Sequence, residues 1–317
     1  MSGCDIIGIG SVSIDELLSI KRHPGADGKA KVLSRGRAFG GLTGTALVAA
    51  ARLGARCAYA GRLGLDEDSV AVAENLRRRG VEIGLAVRDA TSGVVRSVIA
   101  VSSDPPGRSI LYHLTGEIGA HPQLPSEADL AGAKVLLCDV NGLEGSIRAA
   151  RLARSHGVAV VGDLEIDAGR KPQLQALVDE VDHLILSEQD ASELCGVQDP
   201  ATCLSRLWSA RRTLVAVTCG VRGCWWSDAA GVVRHQAAFA VATRDSTGCG
   251  DVFHGAYAEA LARSRPLEEC LRWAAAAAAL KASGPAGQDG CPEAHQVISL
   301  INQQAPALHG DRRARTH

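Results

Sequence analysis

Short apolar runs alternate with amphipathic stretches through most of the 317 residues. The runs are rich in consecutive Val, Ile and Leu, which is typical of strands buried on both faces of a parallel sheet. They lie at 5–12, 58–62, 134–140, 158–163, 183–186 and 213–218. Helical patterns separate them at 43–53, 69–79, 145–156, 173–178 and 202–210. This alternation predicts a three-layer α/β architecture with a mostly parallel central sheet and right-handed crossovers.

Two segments, at about 14–38 and 92–118, have a different pattern. Polar and apolar positions alternate there, as in the run from Val94 to Val101. A period of two is typical of half-buried antiparallel strands. We therefore expect a small β-sheet lid beside the main sheet, within a single domain that covers residues 1–317.

Composition and charge argue against several classes of partner. The net charge of -1 gives no electrostatic case for nucleic acid or an anionic membrane, and 3% aromatic residues leave few stacking platforms for single strands. No apolar run reaches the roughly 18 residues of a membrane span, and the first residues lack a basic signal region. Ten scattered cysteines without a CxxC pair are typical of reduced structural thiols. These features predict a cytoplasmic protein.

The segment 245–257 contains the most specific chemistry. Gly248 and Gly250 allow a tight turn, and a helical pattern follows from about Asp251 and stops at Pro266. The free N–H groups and the dipole at such a helix start bind an oxyanion. A carboxylate there repels an anion, but it has a purpose if it takes a proton from a substrate hydroxyl as a phosphoryl group arrives. An ordinary glycine turn followed by a helix-start aspartate is the alternative that this segment alone leaves open.

Five motifs in the right order resemble those of the ribokinase-like (PfkB) carbohydrate kinases, over nearly the whole chain. The segment 245–253 is similar to the second family signature, D-T-T-G-A-G-D-x-F. The other four lie at 8–15 (the first strand, which ends in a sugar-binding aspartate), 40–64 (the first signature), 187–194 (the N-x-x-E magnesium motif) and 217–223 (the T-x-G-x-x-G nucleotide turn).

The resemblance implies a ribokinase fold of about nine strands with a lid, often a homodimer clasped through the lids. It implies a role for each matching residue. Asp251 would be the catalytic base beside an anion hole at Gly248, Cys249 and Gly250. The remaining implied sites are ATP at Thr218, Gly220, Gly223 and Lys281, sugar at Asp15 and Gly41, and Mg²⁺ at Asp190 through water. ATP and Mg²⁺ are thus the implied cofactors, and a monovalent cation such as K⁺ is a further one.

The chain departs from the family pattern at several positions. Ser187 and Asp190 replace the asparagine and glutamate of the magnesium motif, Leu42 replaces an asparagine, and Cys249 replaces an alanine. Residues 250–256 and 186–188 resemble the sulfofructose kinase branch, and 108–112 resembles ketohexokinase. Asn141 and Tyr112 stand where the sulfofructose kinase branch has its sulfonate-binding arginine and asparagine. We therefore expect no complete sulfonate clamp, although the lysine of that branch is kept as Lys29.

These observations predict ATP-dependent phosphorylation of a hydroxyl on a small sugar or sugar acid. A nucleoside kinase of the same fold and a non-enzymatic sugar or nucleotide sensor are the alternatives. A dinucleotide-dependent oxidoreductase is disfavoured, because Ser13 stands where the third glycine of its motif belongs.

Two hypotheses concern particular side chains. Lys29 and Arg96 lie on the predicted lid and, if both faced the cleft, would favour an anionic substrate over a neutral ketose. Cys249 lies at a helix start, which lowers a thiol pKa, but next to Asp251, which raises it. It is either a reactive thiol that ATP protects or a small residue in place of alanine.

Overall fold

The computed structural model describes residues 3–166, 169 and 171–304. The strands are β1 (Ile6–Ile9), β2 (Ser13–Ile20), β3 (Val32–Gly40), β4 (Cys57–Tyr59), β5 (Arg62–Leu63), β6 (Val81–Glu82), β7 (Val87–Arg88), β8 (Val95–Ser103), β9 (Pro106–Leu114), β10 (Val135–Asp139), β11 (Ala159–Asp163), β12 (His183–Ser187), β13 (Leu214–Thr218), β14 (Cys224–Asp228) and β15 (Arg234–Gln236). The helices are α1 (Leu42–Arg52), α2 (Glu67–Arg78), α3 (Glu127–Leu130), α4 (Leu143–Ser155), α5 (Lys171–Val178), α6 (Glu188–Cys195), α7 (Pro200–Leu207), α8 (Cys249–Ala262), α9 (Leu267–Ser283) and α10 (Ala294–Gln303).

Nine of the described strands form the main sheet, in the order β15-β14-β13-β12-β11-β10-β1-β4-β6. Neighbours from β6 to β13 are parallel, and β14 and β15 are antiparallel at one edge. Alternate side chains enter separate cores: Ile6 packs on one face of the sheet, and Ile7 and Leu136 pack on the other. Helices cover both faces, which explains the continuous apolar runs. The predicted three-layer α/β class is confirmed.

A second sheet, which we call the lid, has the strand order β3-β2-β8-β9. Asp15 pairs with Ser97, and Ser97 pairs with Tyr112, so these three side chains lie on the same face. We call this the inner face of the lid. Arg96 pairs with Ile14, and its side chain therefore lies on the opposite, outer face.

Helix α8 is held closely against α1. A Cβ on Gly255 would lie 2.1 Å from the carbonyl oxygen of Ala46, so a side chain there would force the two helices apart. Two residues further along, the hydroxyl of Tyr257 lies 2.8 Å from His183 Nδ1 on β12. These contacts fix the position of the start of α8 over the carboxyl ends of the parallel strands.

Several elements differ from the sequence prediction. Helix α8 begins two residues earlier than expected, and the helix predicted to extend to residue 210 ends at Leu207, after which Trp208 is extended. The pattern did not indicate α10 or the antiparallel edge strands β14 and β15. None of the helices in the described part of the chain has the length and apolarity that a membrane span requires.

Candidate active site

The loop before α8 forms a cradle of backbone N–H groups. Gly248 precedes the helix with φ of 77°, a left-handed conformation that glycine adopts without steric cost. No side chain caps the helix start, although the N–H of Cys249 donates to Ser246 O at 3.3 Å. The other N–H groups of the first turn can therefore bind an anion, as the glycine spacing predicted.

Asp251 lies in the first turn of α8, beside this cradle. Its Oδ2 is 3.6 Å from the position that a Cβ on Gly248 would occupy. Burial, followed by the charge of Asp163, raises the pKa of Asp251 well above its usual range, and the charges of Glu165 and Asp139 act in the same direction. A carboxylate with a raised pKa is a stronger base, which suits proton abstraction from a hydroxyl.

His254 fastens the first turn of α8 to the sheet. Its Nδ1 lies 2.9 Å from the carbonyl oxygen of Gly250, and its Nε2 lies 3.0 Å from that of Ile185 on β12. Nδ1 is also 3.3 Å from Asp163 Oδ2 on β11. Burial is the largest influence on the pKa of His254 and lowers it. Sequence reasoning missed this residue, and its one signal was a histidine within a mostly apolar helix.

Asp15 lies on the inner face of the lid beside Gly40. It is buried and accepts a hydrogen bond from Ser13 Oγ at 3.0 Å, and burial raises its pKa. A Cβ on Gly40 would lie 2.4 Å from Asp15 Oδ2. Gly41, the next residue, caps the start of α1 and accepts from the N–H of Thr45 at 2.8 Å. The structure therefore brings Asp15 and Gly41, the two residues expected to contact the sugar, close together.

Asn141 belongs to a buried polar cluster around Asp139. Its N–H and Nδ2 donate to Asp139 Oδ1 at 2.7 and 3.1 Å. Asp139 Oδ2 accepts from Ser11 N at 2.7 Å and from Thr43 Oγ1 at 3.0 Å. Since Asp139 is fully buried and saturated with donors, it has a structural role, and Asn141 can offer a substrate little more than its amide oxygen.

Arg108 spans the cleft from the lid to the cradle. It lies on the inner face, four residues before Tyr112 on β9, and its Nη1 donates to Ser246 Oγ at 3.1 Å. Its positive charge also lowers the pKa of Cys249, although burial of that thiol has the larger, opposite effect. Sequence reasoning did not assign Arg108 to the site.

Arg96 and Lys29 do not join this arrangement. Arg96 Nη1 forms an ion pair with Asp68 at 3.2 Å, and the residue lines a cavity of about 1020 Å³ on the outer face of the lid. The expectation that Arg96 faces the cleft is contradicted by the register of β8. Lys29 is exposed in the connection between β2 and β3.

The residues that were expected to bind the nucleotide lie in two separate places. Thr218 ends β13, and a tight turn follows in which Cys219 N donates to Gly223 O at 2.8 Å. Gly220 in this turn is exposed, with nothing within 4 Å of where a Cβ would lie. Lys281, by contrast, lies behind the cradle: its Cε is 3.7 Å from the Cβ position of Gly248.

The site suits a water-mediated contact with Mg²⁺ better than direct coordination. Asp190 Oδ1 accepts from Ile166 N at 2.7 Å, and Oδ2 accepts from Ser187 Oγ. No cluster of three or more potential metal ligands was found among the described residues. Mg²⁺ keeps several waters and usually shares few carboxylates with substrate phosphates, so Asp190 fits an indirect role.

Cys249 is a half-buried, weakly acidic thiol. Burial is the main cause that raises its pKa to about 11. Lys281 and Arg108 oppose this effect, and Asp245 and Asp251 add to it. The geometry therefore favours the interpretation of Cys249 as a small residue in place of alanine.

A parallel α/β sheet, a lid with an aspartate on its inner face, and a basic carboxylate beside an anion cradle together define a small-molecule kinase. Over residues 5–294 the chain matches the family described as pfkB family carbohydrate kinase, and it belongs to that family.

Three relatives illustrate this membership. The chain is 26% identical over 297 residues to a ribokinase from Bacillus subtilis, which covers 93% of this chain and 98% of the relative. It is 22% identical over 319 residues to a 5-dehydro-2-deoxygluconokinase from Bacillus velezensis, with 95% of each covered. A structure of Arabidopsis thaliana ribokinase complexed with ribose and ATP has a TM-score of 0.80 at 22% identity, with 94% of this chain and 99% of that one covered. The protein is therefore a carbohydrate kinase, and this excludes the sensor and oxidoreductase alternatives.

Proposed function

We propose that the protein transfers the γ-phosphoryl group of ATP to a hydroxyl of a small neutral sugar, with Asp251 as the general base. The observation that supports this most directly is the position of Asp251 beside the Gly248 cradle. Asp251 takes the proton of the hydroxyl, whose oxygen forms a bond to the γ-phosphorus. The bond between that phosphorus and the bridging oxygen breaks, and ADP leaves with the electron pair.

The surrounding residues support this chemistry in defined ways. The N–H groups of the first turn of α8 hold phosphate oxygens, and Arg108 adds a bidentate donor from the lid. Thr218, Gly220 and Gly223 form the turn where we place the nucleotide base and ribose. Mg²⁺ would neutralise phosphate charge, with Asp190 contacting its waters. Dependence on K⁺, a cytoplasmic location and a homodimer formed through the lid stay predictions.

A neutral sugar fits the inner face of the lid better than a sugar acid does. Asp15 and Ser97 present groups that bind hydroxyls, and the carboxylate of Asp15 repels an anion. Arg96 is directed away from this face, and Lys29 is exposed in a loop. Arg108 is the one cation that we place on this face, and it is already bound to the cradle through Ser246.

The test is a substrate panel. Purified enzyme would be incubated with ATP, Mg²⁺ and, in turn, neutral pentoses, hexoses and ketoses, their acid counterparts, and nucleosides, while ADP release is measured. We expect the highest kcat/KM with a neutral sugar and no turnover in Asp251→Asn. A higher kcat/KM for a sugar acid would refute the neutral-substrate proposal. Turnover of nucleosides alone would show that the nucleoside kinase alternative is correct.

A further inference from the structure

Lys281 is a buried cation with few partners. Its side chain is fully buried near the end of α9, with a relative exposure of 0%. Its ammonium donates to Pro285 O at 3.3 Å, and within the described residues it has no other hydrogen bond and no carboxylate partner. Because a buried ammonium without a counter-ion is costly, its presence calls for an anion that the protein itself does not supply.

The lysine lies on the protein side of the anion cradle. Its Cε is 3.7 Å from the Cβ position of Gly248, and its Cδ is 2.8 Å from that of Gly290. Among the charges near Cys249, that of Lys281 has the largest effect on the pKa of the thiol, and it lowers it. The positive charge is therefore close to the first turn of α8, but the backbone of Gly248 and Gly290 encloses it. A ligand in the cleft would not touch it directly.

Several carboxylates lie near the cradle, and a buried cation would offset their repulsion of a bound phosphate. Asp251 stands beside the cradle, and Asp163 and Glu165 are close enough to raise its pKa. These carboxylates oppose the binding of phosphate groups. A positive charge in a buried, weakly screened position attracts an anion over several ångströms more strongly than a solvated one does.

We propose that Lys281 is the fixed counter-charge of the anion cradle, which attracts nucleotide phosphates through the backbone of Gly248 without contacting them. This inference rests on the proposed function, because it assumes that the cradle binds phosphate. It differs from the role that the resemblance implied, in which Lys281 belongs to the nucleotide pocket itself.

A purely structural role is the alternative. The bond from Lys281 to Pro285 fastens the loop that precedes Gln288, and Gln288 Nε2 donates to Gly40 O at 3.3 Å. Loss of the lysine could therefore disturb the site through the loop rather than through charge. The substitution Lys281→Gln separates the two roles, because glutamine keeps an N–H donor for Pro285 but carries no charge.

The experiment measures the affinity of full-length enzyme for adenosine, ADP and ATP by calorimetry. It compares wild type, Lys281→Gln, Lys281→Met and the control Lys134→Met. The control removes an exposed lysine that pairs with Asp5 at 3.1 Å, before β10. We expect Lys281→Gln to weaken ADP and ATP binding about tenfold or more, which is roughly 1.4 kcal/mol, and to change adenosine binding less than twofold. Lys134→Met should bind all three ligands as wild type does.

Each other outcome contradicts the inference in a recognisable way. Equal weakening of adenosine and ATP, or weakening in Lys281→Met but not in Lys281→Gln, would show that the lysine acts through the loop. Unchanged ATP affinity in a folded Lys281→Gln variant would exclude the counter-charge. If wild type itself binds no ADP or ATP, the proposed function fails, and the inference fails with it.

Discussion

Replacing Asp251 by asparagine should abolish catalysis and leave the nucleotide site intact. The change preserves the shape of the side chain and removes its ability to accept a proton. Because Asp251 adjoins the cradle without capping the helix, the N–H groups of α8 should keep their positions. Loss of a negative charge next to the phosphate site should leave ADP affinity unchanged or increase it.

The expected magnitude follows from the role of a general base. Such a base typically contributes 10² to 10⁴ in rate, or about 3 to 5 kcal/mol at 1.36 kcal/mol per tenfold. We expect kcat on the best sugar to fall by at least about 10², with a smaller change in KM. The assay is coupled ADP release with saturating ATP, together with calorimetry for ADP.

The thermal stability of Asp251→Asn gives a second test, because we expect Tm to rise while kcat falls. The pKa of Asp251 is raised in the folded protein, so the folded state holds this proton more tightly than the unfolded chain does. Stability from this group is therefore present at low pH and is lost as pH rises through the raised pKa. Asp251→Asn should raise Tm at pH 7 to 8, and the increase should shrink at acidic pH. The distant control Asp179→Asn, an exposed site, should change neither Tm nor kcat.

Two results would refute this reasoning. A variant that keeps near-wild-type kcat would show that another group removes the proton. A variant that loses kcat, Tm and ADP binding together would show that Asp251 holds the fold rather than the chemistry.

Three further predictions concern neighbouring groups. Arg108→Ala should lower kcat/KM for ATP about tenfold without lowering Tm, because the side chain is exposed and donates to Ser246 in the cradle loop. The control is Arg22→Ala, which removes an exposed ion pair with Asp104 in the turn between β8 and β9. An equal effect of both substitutions would contradict a specific role for Arg108. Iodoacetamide at pH 7.5 should label Cys249 slowly in the native enzyme, since a pKa of about 11 leaves a thiolate fraction on the order of one in a thousand or less. Rapid labelling that ATP blocks would instead support the reactive-thiol hypothesis. As pH is lowered, kcat/KM should begin to fall at a pH well above the usual aspartate range, because the base must be ionised. A flat profile from pH 8 down to 5 would be inconsistent with the raised pKa of Asp251.

The sequence was informative where local pattern determines structure. Consecutive apolar residues identified the parallel strands because both faces of the sheet are covered, and the glycine spacing located the start of α8 to within two residues. The sequence pattern was not informative where a long-range contact determines the position of a side chain. One position of register puts Arg96 on the outer face, and the bond between Arg108 and Ser246 joins residues 138 apart. Helix α9 has a long run of alanines with little contrast between its faces, so its pattern gave no clear boundary.

The site residues that the sequence missed share a physical feature. His254 and Arg108 gain their roles from groups on other elements: Ile185 and Asp163 for the histidine, and Ser246 for the arginine. The resemblance implied a nucleotide-binding role for Lys281, but its burial behind Gly248 could not be foreseen from a helix pattern. Residue type alone therefore predicted the chemistry that we propose for Asp251 and the cradle, and tertiary packing was needed to identify the charges around them.

The arrangement of those charges bears on how the site favours transfer over tight binding. Asp251 and Asp163 lie on one side of the cradle, and each has a pKa raised by burial and by neighbouring carboxylates. His254 contacts Asp163 and lowers the pKa of Asp251, which opposes this effect. A phosphate bound in the cradle would be repelled by Asp251 while that residue is ionised. In the reaction that we propose, Asp251 accepts the hydroxyl proton, and this repulsion then disappears as the phosphoryl group moves. The interaction is thus more favourable at the transition state than in the ground state, which is the condition for raising kcat rather than affinity.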